Sequence, residues 1–204
     1  MSLAPILGGI GTFVGLVRAA PQLVKLLRRR EAFGVAVDTA ATSAIVSSGW
    51  VVYGLLTHQR YVSLATGASA LIFALITVAA LRYGRRAREF RIAPLWLAVL
   101  ALAGLVAGKN GLGLVLPVSV LAANVPQVWV CFKEDDLTDL SLGTWLLSMS
   151  DGLVWGLYSL IQRDVPIMVF GLFQLTTSGL IVALKLGRGT GRRTLGAIPP
   201  AGQK

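Results

Sequence analysis

The chain contains two copies of one pattern, 105 residues apart (126 minus 21). A proline-glutamine pair, a threonine, a tryptophan and a tyrosine recur in the same order and at the same spacing. They are Pro21, Gln22, Thr39, Trp50 and Tyr53 in the first copy, and Pro126, Gln127, Thr144, Trp155 and Tyr158 in the second. An internal repeat restricts the possible folds strongly, because both copies must adopt the same local unit. The sequence therefore predicts one structural unit used twice.

The composition is that of a membrane protein. The mean hydropathy is +0.73, 55% of the residues are hydrophobic and only 14% are charged. A soluble domain of this length cannot bury so much apolar side chain. The first apolar run ends in basic residues and not in a small-residue cleavage site, so we expect no secretory signal peptide. We predict an all-α polytopic membrane protein.

Seven apolar segments are long enough, or nearly so, to cross a bilayer, which takes about 20 residues. They comprise residues 5–27, 37–56, 61–81, 92–107, 112–132, 140–161 and 165–186. Only helices and closed barrels satisfy every backbone polar group in lipid, and long continuous apolar runs are typical of helices. The sequence predicts seven transmembrane helices, of which the fourth is the shortest.

The basic residues predict the orientation of these helices. Of the 19 lysines and arginines, 15 follow the first, third, fifth and seventh segments, and three lie on the opposite side. Basic residues stay cytoplasmic, so we expect the N-terminus outside and the C-terminus inside. The formal charge of +10 is then explained by orientation and does not predict a nucleic-acid partner.

Topology and repeat agree only if one extra helix separates the two copies. Each copy holds three helices, and three crossings invert the direction of the chain. We predict a first triple-helix repeat over 3–83, a linker helix over 92–107, a second repeat over 112–186 and a disordered cytoplasmic tail over 187–204. The two bundles would be parallel, with a site near the bilayer midplane between them.

The two proline-glutamine pairs are predicted to be bends. A proline inside a helix removes one hydrogen bond, and the amide of Gln22 or Gln127 could supply a donor to the freed carbonyl. One interpretation is a pair of gating hinges at Pro21 and Pro126. The alternative is a pair of static kinks.

A second constellation combines tryptophans with polar residues. Trp50 and Trp155 lie at equivalent positions with polar side chains one turn away, so two indoles could form platforms for a small substrate. The alternative is a pair of interfacial belt tryptophans. The predicted substrate-binding residues are Trp50, Trp155, Ser47, Ser148, Asp151, Thr66 and Gln174.

Asp151 is the only carboxylate well inside a segment. An acidic side chain near the bilayer centre costs a few kcal/mol, so it usually faces a cavity, a partner or a proton path. Asp151 could couple transport to protons or balance a cationic substrate group. The alternative is a structural ion pair, for which Arg18 is the available partner.

Several signals for other functions are missing from the sequence. We find no phosphate-binding loop, no metal-ligand cluster and no nucleophile-base motif, so we expect neither an enzyme nor a bound metal or cofactor. A retinal protein needs a lysine in the middle of its seventh helix. The first lysine of that segment is Lys185, at its end.

The repeated pattern resembles the PQ-loop/SWEET transporter superfamily. The resemblance is carried by Pro126 and Gln127, by residues 139–144 (Asp-Leu-Ser-Leu-Gly-Thr), by 155–158 (Trp-Gly-Leu-Tyr) and by 164–167 (Asp-Val-Pro-Ile). It implies sugar movement by alternating access, with a pocket that pairs a tryptophan of the second helix with an asparagine of the third. Trp50 and Trp155 match the tryptophans, while the asparagine positions fall on Thr66 and Gly171. A second branch transports amino acids and couples to protons through an aspartate whose position falls on Ser148, one turn before Asp151.

We therefore expect a multi-pass plasma-membrane transporter of a small polar solute. A SWEET-like sugar uniporter is the first of the functions that we predict. The alternative is a proton-coupled transporter of amino acids or cationic metabolites that uses Asp151. A non-transporting scaffold or receptor with the same fold is the alternative from another class. The expected partners are a small-molecule substrate and the lipid bilayer, and assembly into a homo-oligomer is left open.

Overall fold

The computed structural model describes residues 3–32, 35–134, 137 and 140–195, with backbone only for 188–195. All regular secondary structure in these ranges is helical, which confirms the predicted class. The helices are α1 (Ala4–Arg29), α2 (Val37–Leu56), α3 (Arg60–Arg82), α4 (Ala93–Lys133), α5 (Leu142–Gln162) and α6 (Val165–Leu195), with a short 3₁₀ turn at Ala87–Glu89.

Five of these helices are long and apolar enough to cross a membrane: α1, α2, α3, α4 and the part of α6 that ends at Gly187. Large apolar side chains point outward along them, and Leu105 and Leu114 are 87% and 76% exposed. Water would penalise such a surface, whereas lipid would not. The protein is a multi-pass helical membrane protein.

The helix α4 is bent back on itself at Gly108. This residue has φ 54° and ψ −133°, a conformation that only glycine adopts readily. Leu100 and Leu116 would lie about 24 Å apart in a straight helix, yet both would contact a Cβ added to Gly49 of α2. The chain therefore reverses, and α4 consists of an N-terminal arm (93–107) and a C-terminal arm (109–133). The predicted fourth and fifth segments fall on these two arms.

The main packing contacts join the helices in one closed ring, in the order α1, α3, α2, α4, α6, α5 and back to α1. Exchanging α1 with α4, α2 with α5 and α3 with α6 leaves this order unchanged. We call α1–α3 the first half, and the C-terminal arm of α4 with α5 and α6 the second half. The repeat boundaries at 3–83 and 112–186 and the membrane orientation stay predictions.

Two glycine contacts repeat at the same offset of 105 residues. A Cβ on Gly8 would lie 2.6 Å from Cβ of Tyr61, and a Cβ on Gly113 would lie 2.8 Å from Cγ of Pro166. Both distances are too short for any side chain. The first contact joins α1 to α3 and the second joins α4 to α6, so each half is closed by the same glycine-dependent approach.

The hydrophobic core is divided unequally between the two ends of the ring. At one end, which we call the tyrosine end because it holds Tyr53 and Tyr158, one cluster takes buried residues from both halves. We call the other end the basic end, because α1, α3 and α4 finish there with basic residues in their last turns. It holds two separate clusters. One surrounds Leu26 and Ile76 in the first half, and the other surrounds Cys131 and Ile181 in the second. The core is therefore shared between the halves at the tyrosine end and divided between them at the basic end.

The N-terminal arm of α4 is fixed to the first half by a side-chain cap. The carboxylate of Asp38, at the start of α2, accepts hydrogen bonds from the backbone N–H groups of Arg91, Ile92 and Ala93 at 2.9–3.2 Å. These are the free donors of a helix N-terminus, which a carboxylate satisfies well.

At its C-terminal end, α6 continues to Leu195. The predicted tail over 187–204 thus begins within this helix, and its disorder stays a prediction. Residues 196–204 lie outside the described part of the chain.

Candidate functional site

Trp50 and Trp155 meet between the two halves. They are 6% and 7% exposed, and together with Thr66 they line a cavity of about 40 Å³. Val62, Ile167 and Phe170 complete its wall. Since one water takes up about 30 Å³ of the liquid, the cavity is too small for a sugar or an amino acid in this conformation. Three of the predicted substrate-binding residues are thus brought together in an apolar chamber.

Edge-on aromatic contacts hold the two indoles in place. The ring of Trp50 lies 5.5 Å from that of Tyr53 and 5.4 Å from that of Phe170. The ring of Trp155 lies 5.4 Å from that of Tyr158. Such T-shaped pairs are favourable and directional, so both tryptophans are rigid surfaces.

The two indole N–H groups have different surroundings. Asp151 precedes Trp155 by one helical turn, so a carboxylate lies on the same helix one turn from that indole. The equivalent position before Trp50 is Val46, which has no acceptor. The Nε1 atom of Trp50 is buried without a hydrogen-bond partner among the described residues. A buried donor without a partner is uncommon in native proteins and calls for an explanation.

Asp151 forms an ion pair across the boundary between the halves. Nη1 of Arg18, on α1, donates to Oδ2 of Asp151, on α5, at 3.1 Å. Asp151 is only 6% exposed, while the side chain of Arg18 is 35% exposed. The partner suggested by the sequence is therefore the partner in the structure.

The remaining predicted polar residues lie outside the lining of the 40 Å³ cavity. Gln174 is buried and accepts a hydrogen bond at 3.2 Å from Asn124, whose amide also donates to Thr177 at 2.8 Å. Ser148 is buried on α5 and Ser47 is half-buried on α2. Contact of these side chains and of Asp151 with a substrate stays a prediction.

Pro21 and Pro126 lie inside α1 and α4, and both helices continue through them. The amide of Gln127 is directed along the helix, with Nε2 3.9 Å from Sγ of Cys131. It therefore does not serve the carbonyl freed by Pro126, as the sequence suggested it could. Hinge motion at the prolines stays a prediction.

A hydrogen-bonded bridge that the sequence did not reveal joins the halves at the tyrosine end. The hydroxyl of Tyr53 lies 2.9 Å from both carboxylate oxygens of Asp164, to which it donates. The hydroxyl of Tyr158 donates to Oε1 of Gln59 at 2.8 Å, and Nε2 of Gln59 lies 3.5 Å from Oδ2 of Asp164. We call these four residues the tyrosine bridge.

The tyrosine bridge follows the repeat. Tyr53 is equivalent to Tyr158, and Gln59 is equivalent to Asp164 at the same offset of 105. Each tyrosine therefore bonds to a residue of the opposite half. Asp164 also accepts the backbone N–H of Ile167 at 3.1 Å and so caps the start of α6. The constant offset of 105 residues marks these four residues as two equivalent pairs in the sequence. It could not show that the hydrogen bonds cross from one half to the other.

The closed ring, the two matched halves and the aromatic chamber between them define a polytopic helical membrane protein of two-repeat architecture. Among solved structures, the chain is similar to a eukaryotic SWEET transporter determined at 3.7 Å resolution, with a TM-score of 0.70 and 14% sequence identity. The similarity covers 93% of this chain and 100% of that one. The predicted resemblance is thus confirmed for the fold. No family model matches the sequence, and no curated protein matches it.

Proposed function

We propose that the protein is an alternating-access transporter of a small polar solute. The first candidate function is that of a SWEET-like sugar uniporter. The single observation that carries this proposal is the chamber of Trp50 and Trp155 between two halves that share a core cluster at one end only. A path between two like halves with a closed end is what alternating access requires.

The proposed orientation places the tyrosine end outside and the basic end in the cytoplasm, with seven crossings in a 3+1+3 arrangement. The distribution of lysine and arginine supports this orientation. The described conformation is then closed on the outside, where the tyrosine bridge and the shared core hold the halves together. We assign the protein to the plasma membrane on the same grounds.

The chamber suggests how a solute would be held. The two indoles would cover its apolar faces, and the unpartnered Nε1 of Trp50 would donate to one of its oxygen atoms. The hydroxyl of Thr66 already donates to the carbonyl of Val62 at 2.7 Å, so it can serve only as an acceptor without losing that bond. The cavity must widen by separation of the halves, for which Pro21 and Pro126 are the proposed bends.

A transporter of amino acids or cationic metabolites is the second candidate. It is favoured by one observation, namely that an ionised pair lies one turn from Trp155 on the path towards the basic end. A substrate ammonium group could bind Asp151 in place of Arg18. Proton coupling through Asp151 is a separate proposal from binding of that ammonium group.

The proposal is tested by uptake of a panel of sugars and amino acids into liposomes that contain the purified protein. We expect one solute class to move, and Trp155→Ala to abolish that uptake because the chamber loses one wall. The matched control is Trp129→Ala, since Trp129 is 60% exposed on α4. Full uptake by Trp155→Ala would remove the chamber from the path, and no movement of any solute would favour the scaffold or receptor.

A further inference from the structure

The Arg18–Asp151 pair occupies only one of two equivalent seams of the ring. The seam between α1 and α5 contains both charges. Its counterpart lies between the C-terminal arm of α4 and α2, where the residues at the same offset are Ala123 and Val46. Both charges are present on one seam and both are missing from the other, so the two residues form one unit.

Arg18 is the only charged group that faces Asp151 from the elements packed around it in the described structure. The main neighbours of α5 are α1 and α6. On α6, residues 165–184 contain no ionisable side chain. The buried polar side chains of that helix are Gln174 and Ser178. On α5 itself, the next ionisable group is Tyr158, two turns away.

Burial makes the charge of Asp151 depend on its partner. A carboxylate on a side chain that is only 9% exposed is tolerated only if a cation pairs with it or a proton neutralises it. Arg18 supplies the cation, and a guanidinium does not lose its proton in proteins. The side chain of Arg18 is also less buried than that of Asp151, with 35% and 9% exposed.

We propose that Arg18 is a built-in counter-ion that keeps Asp151 ionised, so that the protein completes its cycle without loading a proton at Asp151. Arg18 acts through Asp151 and is a positioning residue. The inference deepens the proposed transport function and separates it from the proton-coupled mechanism. It also assigns a purpose to the chemical difference between the two seams.

Two readouts between pH 5 and pH 8 test this proposal: the melting temperature of the purified protein and solute flux in liposomes. For wild type and for Arg18→Lys, both readouts should change little with pH, because a cation faces Asp151 in each. In Arg18→Gln the carboxylate lacks a counter-ion and must take up a proton. Its melting temperature and flux should therefore rise several-fold more steeply as the pH falls.

The matched control is the double variant Arg18→Gln/Asp151→Asn, whose pH profile should again be flat because nothing remains to titrate. The proposal is overturned if Arg18→Gln and wild type share one pH profile, or if wild-type flux follows a proton gradient and Asp151→Asn removes that dependence. If Arg18→Gln does not accumulate, recovery of folded protein in the double variant supports the proposal, and no recovery overturns it. The melting profiles test the counter-ion role of Arg18 even if no solute moves. Failure of the transport proposal can therefore be told apart from failure of this inference.

Discussion

The two halves of the ring share their packing and differ in their interiors. At five pairs of equivalent positions the first half has an apolar or small side chain where the second has a larger polar one. The pairs are Ala19 and Asn124, Val46 and Asp151, Ser69 and Gln174, Ile72 and Thr177, and Phe73 and Ser178. In the second half, Asn124, Gln174, Thr177 and Ser178 form one hydrogen-bonded network. The comparison indicates that the two halves share a backbone arrangement, while this polar network belongs to the second half alone.

The shared backbone would be challenged most severely at its glycine contacts. Gly8→Leu and Gly113→Leu should both prevent accumulation of folded protein, because the added side chain would have to displace Tyr61 or Pro166. The measurement is the yield of monodisperse protein after detergent extraction. Gly9→Leu is the matched control, since nothing lies within 4 Å of a Cβ at that position. A normal yield from only one of the two variants would show that the halves are not packed alike.

The tyrosine bridge allows a direct comparison between equivalent residues. Tyr53→Phe removes a hydrogen bond to a carboxylate, worth about 1.5–3 kcal/mol, whereas Tyr158→Phe removes a neutral one, worth about 0.5–1.5 kcal/mol. Tyr53→Phe should therefore open the tyrosine end more than Tyr158→Phe does. The measurement is the rate at which a thiol reagent added from outside labels a cysteine placed at Thr66.

Tyr83→Phe serves as the control for both substitutions, because Tyr83 lies beyond the end of α3 and packs in the first-half cluster at the basic end. Equal labelling rates for Tyr53→Phe and Tyr158→Phe would mean that the charge of Asp164 does not strengthen the seal.

The smallest effect is expected from removing one indole N–H at a time. Trp50→Phe should raise the KM for a solute several-fold, because the free donor of the chamber is lost. Trp155→Phe should change KM less, since Trp155 has a carboxylate one helical turn away and its Nε1 is not among the buried donors without a partner. The measurement is the concentration dependence of uptake. A larger KM effect from Trp155→Phe would reverse the assignment of the donor.

Much of the fold could be predicted because the repeat and the apolar runs are local signals. They located the helices, and the constant offset identified Trp50 and Trp155 as a pair. The ion pair between Arg18 and Asp151 was also predictable, because a deep carboxylate requires a partner and the sequence offers only one inside a nearby helix.

Other features depend on how distant segments pack, and the sequence could not supply them. Ser47 is half-buried and Gln174 is buried, and both lie outside the lining of the cavity. Spacing along a helix does not reveal which neighbour a given face meets. The bonds from Tyr53 to Asp164 and from Tyr158 to Gln59 likewise depend on contact between the halves. The reversal of α4 at Gly108 was anticipated only as a gap between two segments.

The cap formed by Asp38 has a mechanical consequence. By holding the start of α4 on α2, it makes the N-terminal arm a rigid extension of the first half, whereas the C-terminal arm is part of the second half. Any rocking of the halves relative to each other must then be absorbed where the arms meet. That place is Gly108, a residue with positive φ and open space around its α-carbon. Movement of one half relative to the other would therefore bend the chain at Gly108, where no side chain restricts the backbone.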